Sequence, residues 1–194
     1  MSDLSVDKAF VDYFEDAKSF YELAKDFDSK DDLRGTETFT RASLLLGFAS
    51  FEAFLTSVTS DFIAAKNSML TTHDKALLME LKVTLDSDGV FQISNRHKFM
   101  KLEERVLFLH YLLAGKKLDR SKPFWSRLLT GIKLRNEVVH PKTHKVVDIK
   151  TLENTLEAIL DTMNLITKGA YKKPLPLASA RLIPLNEFSL ISVR

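Results

Sequence analysis

The chain has 194 residues, the size of one ordinary domain and enough to bury a sizeable core. With 45% hydrophobic and 28% charged residues but only six Gly and five Pro, neither a disordered chain nor a turn-rich β-sandwich fits, and helices are favoured. The lack of cysteine excludes disulfides, thiolate zinc sites, iron–sulfur clusters and cysteine nucleophiles, while the net charge of +2 hides a split. Residues 1–34 carry ten acids against five bases, and residues 115–145 carry nine bases against two acids. Such a basic region suits an anion such as a nucleic-acid backbone, or else is a solvated lysine-rich face. No signal-peptide pattern opens the chain, and no stretch approaches the roughly 18 uninterrupted apolar residues of a spanning helix. A cytoplasmic protein without membrane contact is expected.

Val6, Phe10, Tyr13, Phe14, Ala17, Phe20, Tyr21, Ala24 and Phe27 recur at steps of three and four, which predicts a first helix over 5–27. A polar connection over 28–35 leads to a second helix over 36–66, apolar around most of its circumference as a central bundle helix should be. Leu77, Leu78, Leu81 and Leu85 predict a third helix over 73–85. Asp86, Ser87, Asp88 and Gly89 then form a turn signal, which allows a small hairpin or an irregular excursion over 83–94.

A fourth helix carries Leu102, Val106, Leu109 and Leu113 and stops near Gly115. The fifth starts at Ser121, Lys122 and Pro123, where serine can cap and proline fits the first turn. It continues through Trp125, Leu128, Leu129, Ile132 and Val139, and Pro141 makes His140 its natural last residue. Asp148 is a good N-cap for a sixth helix whose stripe ends before Gly169. Three prolines among the last residues predict an extended C-terminal arm, packed on the bundle or on a partner chain. The fold expected is all-α: a bundle of about five to six helices over 1–170, followed by an extended arm over 171–194.

The informative segment is the end of the fifth helix. Asn136 falls on the row of Trp125, Leu128, Leu129 and Ile132, where a carbon side chain would normally be buried. His140 lies four residues later on the same face, and Arg135 flanks both by about 100°. Gly131, one turn before Arg135, is expected to leave open space beside the guanidinium. The carbonyls at a helix C-terminus favour an imidazolium, and arginine presents a fork that grips phosphate oxygens. These groups suit attack by a ribose 2′-hydroxyl on its adjacent phosphate, with His140 moving a proton and Arg135 stabilising the transition state. That chemistry needs no metal and no cofactor.

Arg135, Asn136 and His140, spaced R-N-x-x-x-H, resemble the signature of the HEPN superfamily, small helical bundles many of which are metal-independent ribonucleases. The second helix, with Glu52 embedded in an apolar run, is similar to the long apolar helix of that family. The resemblance implies a homodimer in which two such helices face each other across a cleft and form a composite active site for RNA. It also implies membership of toxin–antitoxin, abortive-infection or other defence systems, with an antitoxin or regulatory protein as a further partner. Arg135, His140 and Asn136 are then the catalytic candidates and Glu52 a supporting one. Lys133, Lys142 and His144 are candidates for phosphate contacts. A non-catalytic HEPN-like module binding a protein, a nucleotide or RNA is the alternative.

A second R-x4-H spacing, Arg105 to His110, lies inside the fourth helix and reads as structural. His140 and His144 are separated by Pro141, which breaks the register a two-histidine metal site would use. Serine-triad, P-loop and dinucleotide signatures are absent. The 14 phenylalanines fall mostly at helical spacing, which marks core packing rather than base stacking.

Overall fold

In the computed structural model, which describes residues 9–142 and 144–183, the first periodic segment forms α1 (Ala9–Ser29) and buries Phe10, Phe14, Ala17, Tyr21 and Ala24. A connection of only three residues, with Asp31 in the left-handed region, turns the chain into α2 (Leu33–Lys66). Asp32 caps α2 by accepting from the Gly35 amide at 2.9 Å. Ser43 and Ser50 on α2 donate to the carbonyls of Ala17 and Phe10 at 2.6 Å each, so both buried hydroxyls are satisfied across the α1–α2 seam. Through a following 3-10 turn, Leu33–Met69 is long and apolar enough on average to cross a membrane, although polar residues interrupt it. Within this fold, 56% of its most apolar window is buried, as in the core helix of a bundle.

The third helix is shorter than its leucine spacing predicts. A Thr71–Asp74 capping box opens α3 (Thr72–Leu78), which ends before Leu81, and Glu80 takes a left-handed conformation. Leu81 and Leu85 belong instead to β1 (Leu81–Leu85), paired antiparallel with β2 (Phe91–His97). The β-branched pair Val83 and Thr84 and the turn at 86–89 override the helical period there. Asp86 Oδ1 accepts from the amides of Asp88 and Val90, and Gly89 supplies the positive φ that the turn requires.

After the hairpin come α4 (Leu102–Ala114), closed by Gly115 in the left-handed conformation, and α5 (Pro123–Val139) with proline in its first turn. Lys122, not Ser121, occupies the N-cap position of α5, and the Ser121 hydroxyl donates to Asp119 Oδ1. The sixth helix, α6 (Ile149–Tyr171), starts on Asp148, which accepts from the Thr151 amide at 2.8 Å, and passes Gly169 to end two residues later. Leu152, Leu156, Ile159, Leu160, Met163 and Ile166 make α6 the centre of the core, with α1, α2, α4 and α5 packed around it.

As far as it is described, the arm packs on the bundle, one of the two expected placements, but it is partly helical rather than extended throughout. Pro176 opens a short helix, α7 (Pro176–Ala180), with Leu177 and Ala180 buried. The Leu175 amide donates to Asn164 Oδ1, and the Ile183 carbonyl accepts from Lys18 Nζ at 3.0 Å. Residues 1–8 and 184–194, with Val6 and the rest of the arm, lie outside the described residues. The described residues thus form a mostly helical bundle of seven α-helices with one two-stranded hairpin.

Candidate functional site

Two rows of side chains divide α5. Trp125, Leu128, Gly131 and Leu134 are buried against the core. Gly131 is the point of closest approach to α6: a Cβ there would stand 2.3 Å from Thr155 Cγ2. The expected open space beside Arg135 is therefore not at Gly131, which faces the opposite helix. Leu129, Ile132 and Asn136 form the second row, which lines a cleft, with Ile132 also packed against the edge of the core. Asn136 is exposed, so its amide is solvated and the burial predicted from the stripe does not occur.

This cleft, of about 820 Å³, runs between α2, α4, α5 and the segment joining β2 to α4. Phe48, Leu129 and Ile132 give it an apolar wall, and Arg135 lies on its edge. Arg135 Nη2 donates to Glu52 Oε1 at 3.0 Å, and Nη1 donates to Asn136 Oδ1 at 3.2 Å. Both members of the ion pair stay partly exposed, 33% for Arg135 and 43% for Glu52, so the contact orients the guanidinium more than it stabilises the fold. Glu52 reaches this position because α2 carries it on the edge of its buried face, next to Phe51 and one turn after Phe48.

His140 ends α5 as its C-cap, with its amide bonded to the Asn136 carbonyl at 2.9 Å and its ring exposed. It opens into a second hollow of about 460 Å³ with Lys142 and Lys145, and Asn136 and Glu137 border both hollows. Asn136 and Glu137 thus stand between the Arg135 cleft and the His140 hollow. Lys133 borders the cleft, whereas His144 turns toward α2, its Nε2 lying 3.3 Å from Glu37 Oε2.

The basic run of 115–145 is largely matched by carboxylates. Arg127 lies between Glu157 and Asp161 at 3.5 and 3.6 Å, and Glu137 draws in Lys145 at 3.2 Å and Lys133 at 3.9 Å. Lys116, Lys117, Arg120 and Lys142 make no ion pair among the described residues. Of the second R-x4-H pair, His110 is buried, and desolvation lowers its pKa below the ordinary value, which suits a core imidazole. Arg105 is different: it borders the same cleft as Arg135, with Nη2 donating to Thr56 Oγ1 at 3.1 Å.

Sequence reasoning also passed over Phe99 and Lys101 on the cleft rim. The available signal was the run Arg96, His97, Lys98, Phe99, Met100, Lys101, an aromatic among bases with no acid. Among the described residues no group of three or more His, Asp or Glu side chains is arranged to hold a metal ion. What the site offers is a fixed guanidinium, an amide beside it and a solvent-facing imidazole at one helix end. No protein-family model, curated protein or solved structure matches the chain.

Proposed function

We propose that this protein is a metal-independent endoribonuclease of the HEPN type, acting as a homodimer with a composite active site. In this reading the 2′-hydroxyl attacks the adjacent phosphorus and the bond to the 5′-oxygen breaks, leaving a 2′,3′-cyclic phosphate and a 5′-hydroxyl. One imidazole accepts the 2′-hydroxyl proton and a second protonates the departing 5′-oxygen. Each chain supplies one such histidine at the end of α5, so His140 from two copies provides the acid and the base. Arg135 stabilises the charge on the five-coordinate phosphorus, and Asn136 holds the guanidinium or a phosphate oxygen. Lys133 and Lys142 take flanking phosphates, with His144 a more distant candidate given its contact with Glu37.

The observation that carries this reading is the Arg135–Glu52 contact at 3.0 Å, which holds a guanidinium on a cleft that shares Asn136 and Glu137 with the hollow lined by the exposed helix-end imidazole of His140. A toxin or defence effector restrained by an antitoxin or regulatory protein, working in the cytoplasm, is the setting that the motif's resemblance implies. The test is RNA cleavage in EDTA with analysis of the new ends. Arg135→Ala and His140→Ala, each folded by circular dichroism, are expected to lose activity by about 10²–10⁴-fold. Full activity in both variants removes the reading.

A second reading, a non-catalytic helical module, is favoured by one observation. Glu52, Glu80, Glu103 and Glu137 line the cleft together with Lys101, Arg105, Lys133 and Arg135, so the cleft carries balanced rather than positive charge. Salt-sensitive RNA binding by the purified protein without turnover selects that reading.

A further inference from the structure

The segment between β2 and α4 has no role in the chemistry above, and its side chains are unusually open. Phe99 is 80% exposed, the most exposed large hydrophobic residue among the described ones. Its ring stacks on His97 with centroids 5.5 Å apart and planes 11° from parallel, leaving the other face of Phe99 to solvent. Phe91 on the same hairpin is also exposed, but its ring meets His73 at 70° and 4.8 Å, an edge-on contact that makes no flat stack. Arg96, Lys98 and Lys101 flank His97 and Phe99 in sequence, and none of them is ion-paired among the described residues. Phe99, Lys101 and Arg105 border the same cleft as Arg135.

We propose that Phe99, stacked on His97, is a platform for an unpaired base of single-stranded RNA, with Lys101 and Arg105 holding the phosphates that lead from that base toward Arg135. Exposed parallel rings flanked by cations form the arrangement that binds single strands: π-faces accept any base, and the cations follow the backbone. Although the cleft as a whole is charge-balanced, the segment 95–101 that carries the ring has three cations and no acid. Phe99 is off every helix and makes no core contribution, so the abundance of phenylalanine in the bundle does not account for it. The Thr56 hydroxyl is the one hydrogen-bond partner of the Arg105 guanidinium among the described residues, which leaves its remaining donors for an anion. This inference rests on the proposed function for its choice of RNA as ligand.

The experiment measures binding of the full chain to a labelled, single-stranded 2′-O-methyl oligoribonucleotide, which lacks the attacking hydroxyl and is not consumed. Phe99→Ala is expected to weaken binding about tenfold, as loss of one base–aromatic stack should. Phe99→Trp should retain the affinity and show indole quenching on saturation. Lys101→Ala should lower the slope of log affinity against log salt by about one. Unchanged affinity in Phe99→Ala, or no binding by the parent, overturns the proposal. So does a loss of dimer mass in Phe99→Ala with RNA binding intact, which assigns the ring to a protein contact. The two readings separate cleanly. Cleavage that depends on Arg135 and His140 but not on Phe99 leaves the nuclease standing without its platform. RNA binding that depends on Phe99, with turnover absent, leaves the platform without the nuclease.

Discussion

Helix α6 and the β1–β2 hairpin are both rich in apolar side chains, yet the bundle uses them in opposite ways. Along α6, Leu152, Leu156, Ile159, Met163 and Ile166 are fully buried and touch most of the other helices. In the hairpin no residue is buried, and Leu85, Val90 and Phe91 stand more than half exposed. The first element is held by packing; the second is held by its ladder, its turn and the short α3 beneath it. Side chains that packing does not dictate are free to meet a ligand. The candidate site draws on both kinds of support, with Arg135 fixed on a helix seated against α6 and Phe99 carried beyond the hairpin.

The largest effect expected separates the two elements directly. Leu156→Ala, beside Gly47 at the α2–α6 contact, should lower unfolding free energy by about 2–5 kcal/mol in urea titrations. Leu85→Ala in the hairpin should change it by no more than about 0.5 kcal/mol. Similar losses at both positions would erase the distinction between packed and locally held structure.

Two aspartates sharpen it further. Asp148 caps α6 and Asp86 holds the hairpin turn, and hydrogen bonds, from Thr151 and from Val90 respectively, keep both carboxyls below the usual value of 3.8. Each depressed carboxyl stabilises the folded form above its ordinary pKa, and that contribution disappears as pH falls through the lowered one. Asp148→Ala should cost about 1 kcal/mol of global stability near neutral pH. Asp86→Ala should leave the urea midpoint in place and speed amide exchange at Asp88 and Val90, whose donors lose their acceptor. A drop in the midpoint for Asp86→Ala would show that the hairpin unfolds with the bundle.

The smallest expected effect on stability belongs to Glu52. Because its pair with Arg135 is partly exposed, Glu52→Gln should cost less than about 1 kcal/mol. Under the proposed ribonuclease function, the same variant should also reduce RNA cleavage by leaving the guanidinium unoriented. Unchanged cleavage with an unchanged fold would remove Glu52 as a positioning residue.

Much of this fold was legible because periodicity and capping agree. The stripe of α6 matches its buried face, that of α1 does so except at exposed Tyr13 and half-buried Phe20 and Phe27, and Asp148, Gly115 and Pro123 stand where caps and starts should. The third helix was overextended because Leu77, Leu81 and Leu85 keep a helical step that Val83, Thr84 and the following turn overrule. At α5, the single row of Trp125, Leu128, Leu129, Ile132 and Asn136 splits in two: Trp125 and Leu128 are buried, while Leu129, Ile132 and Asn136 line a cleft. The true core contact runs through Gly131, which has no side chain to register in a hydrophobic pattern. Glu52 and Arg135 were both singled out from sequence, yet only the crossing of α2 and α5 brings them to 3.0 Å. Phe99 was hidden among phenylalanines that serve packing.

One contact in the bundle has a practical side. Lys18 is wholly shielded, with its ammonium held by Glu15 at 2.7 Å and by the Ile183 carbonyl at 3.0 Å, and burial depresses its pKa. An acylating reagent reaches that nitrogen only when the packing around it opens and its contact with the Ile183 carbonyl is broken. The rate at which Lys18 becomes labelled therefore reports how often this corner of the molecule breathes, without any probe having to be introduced.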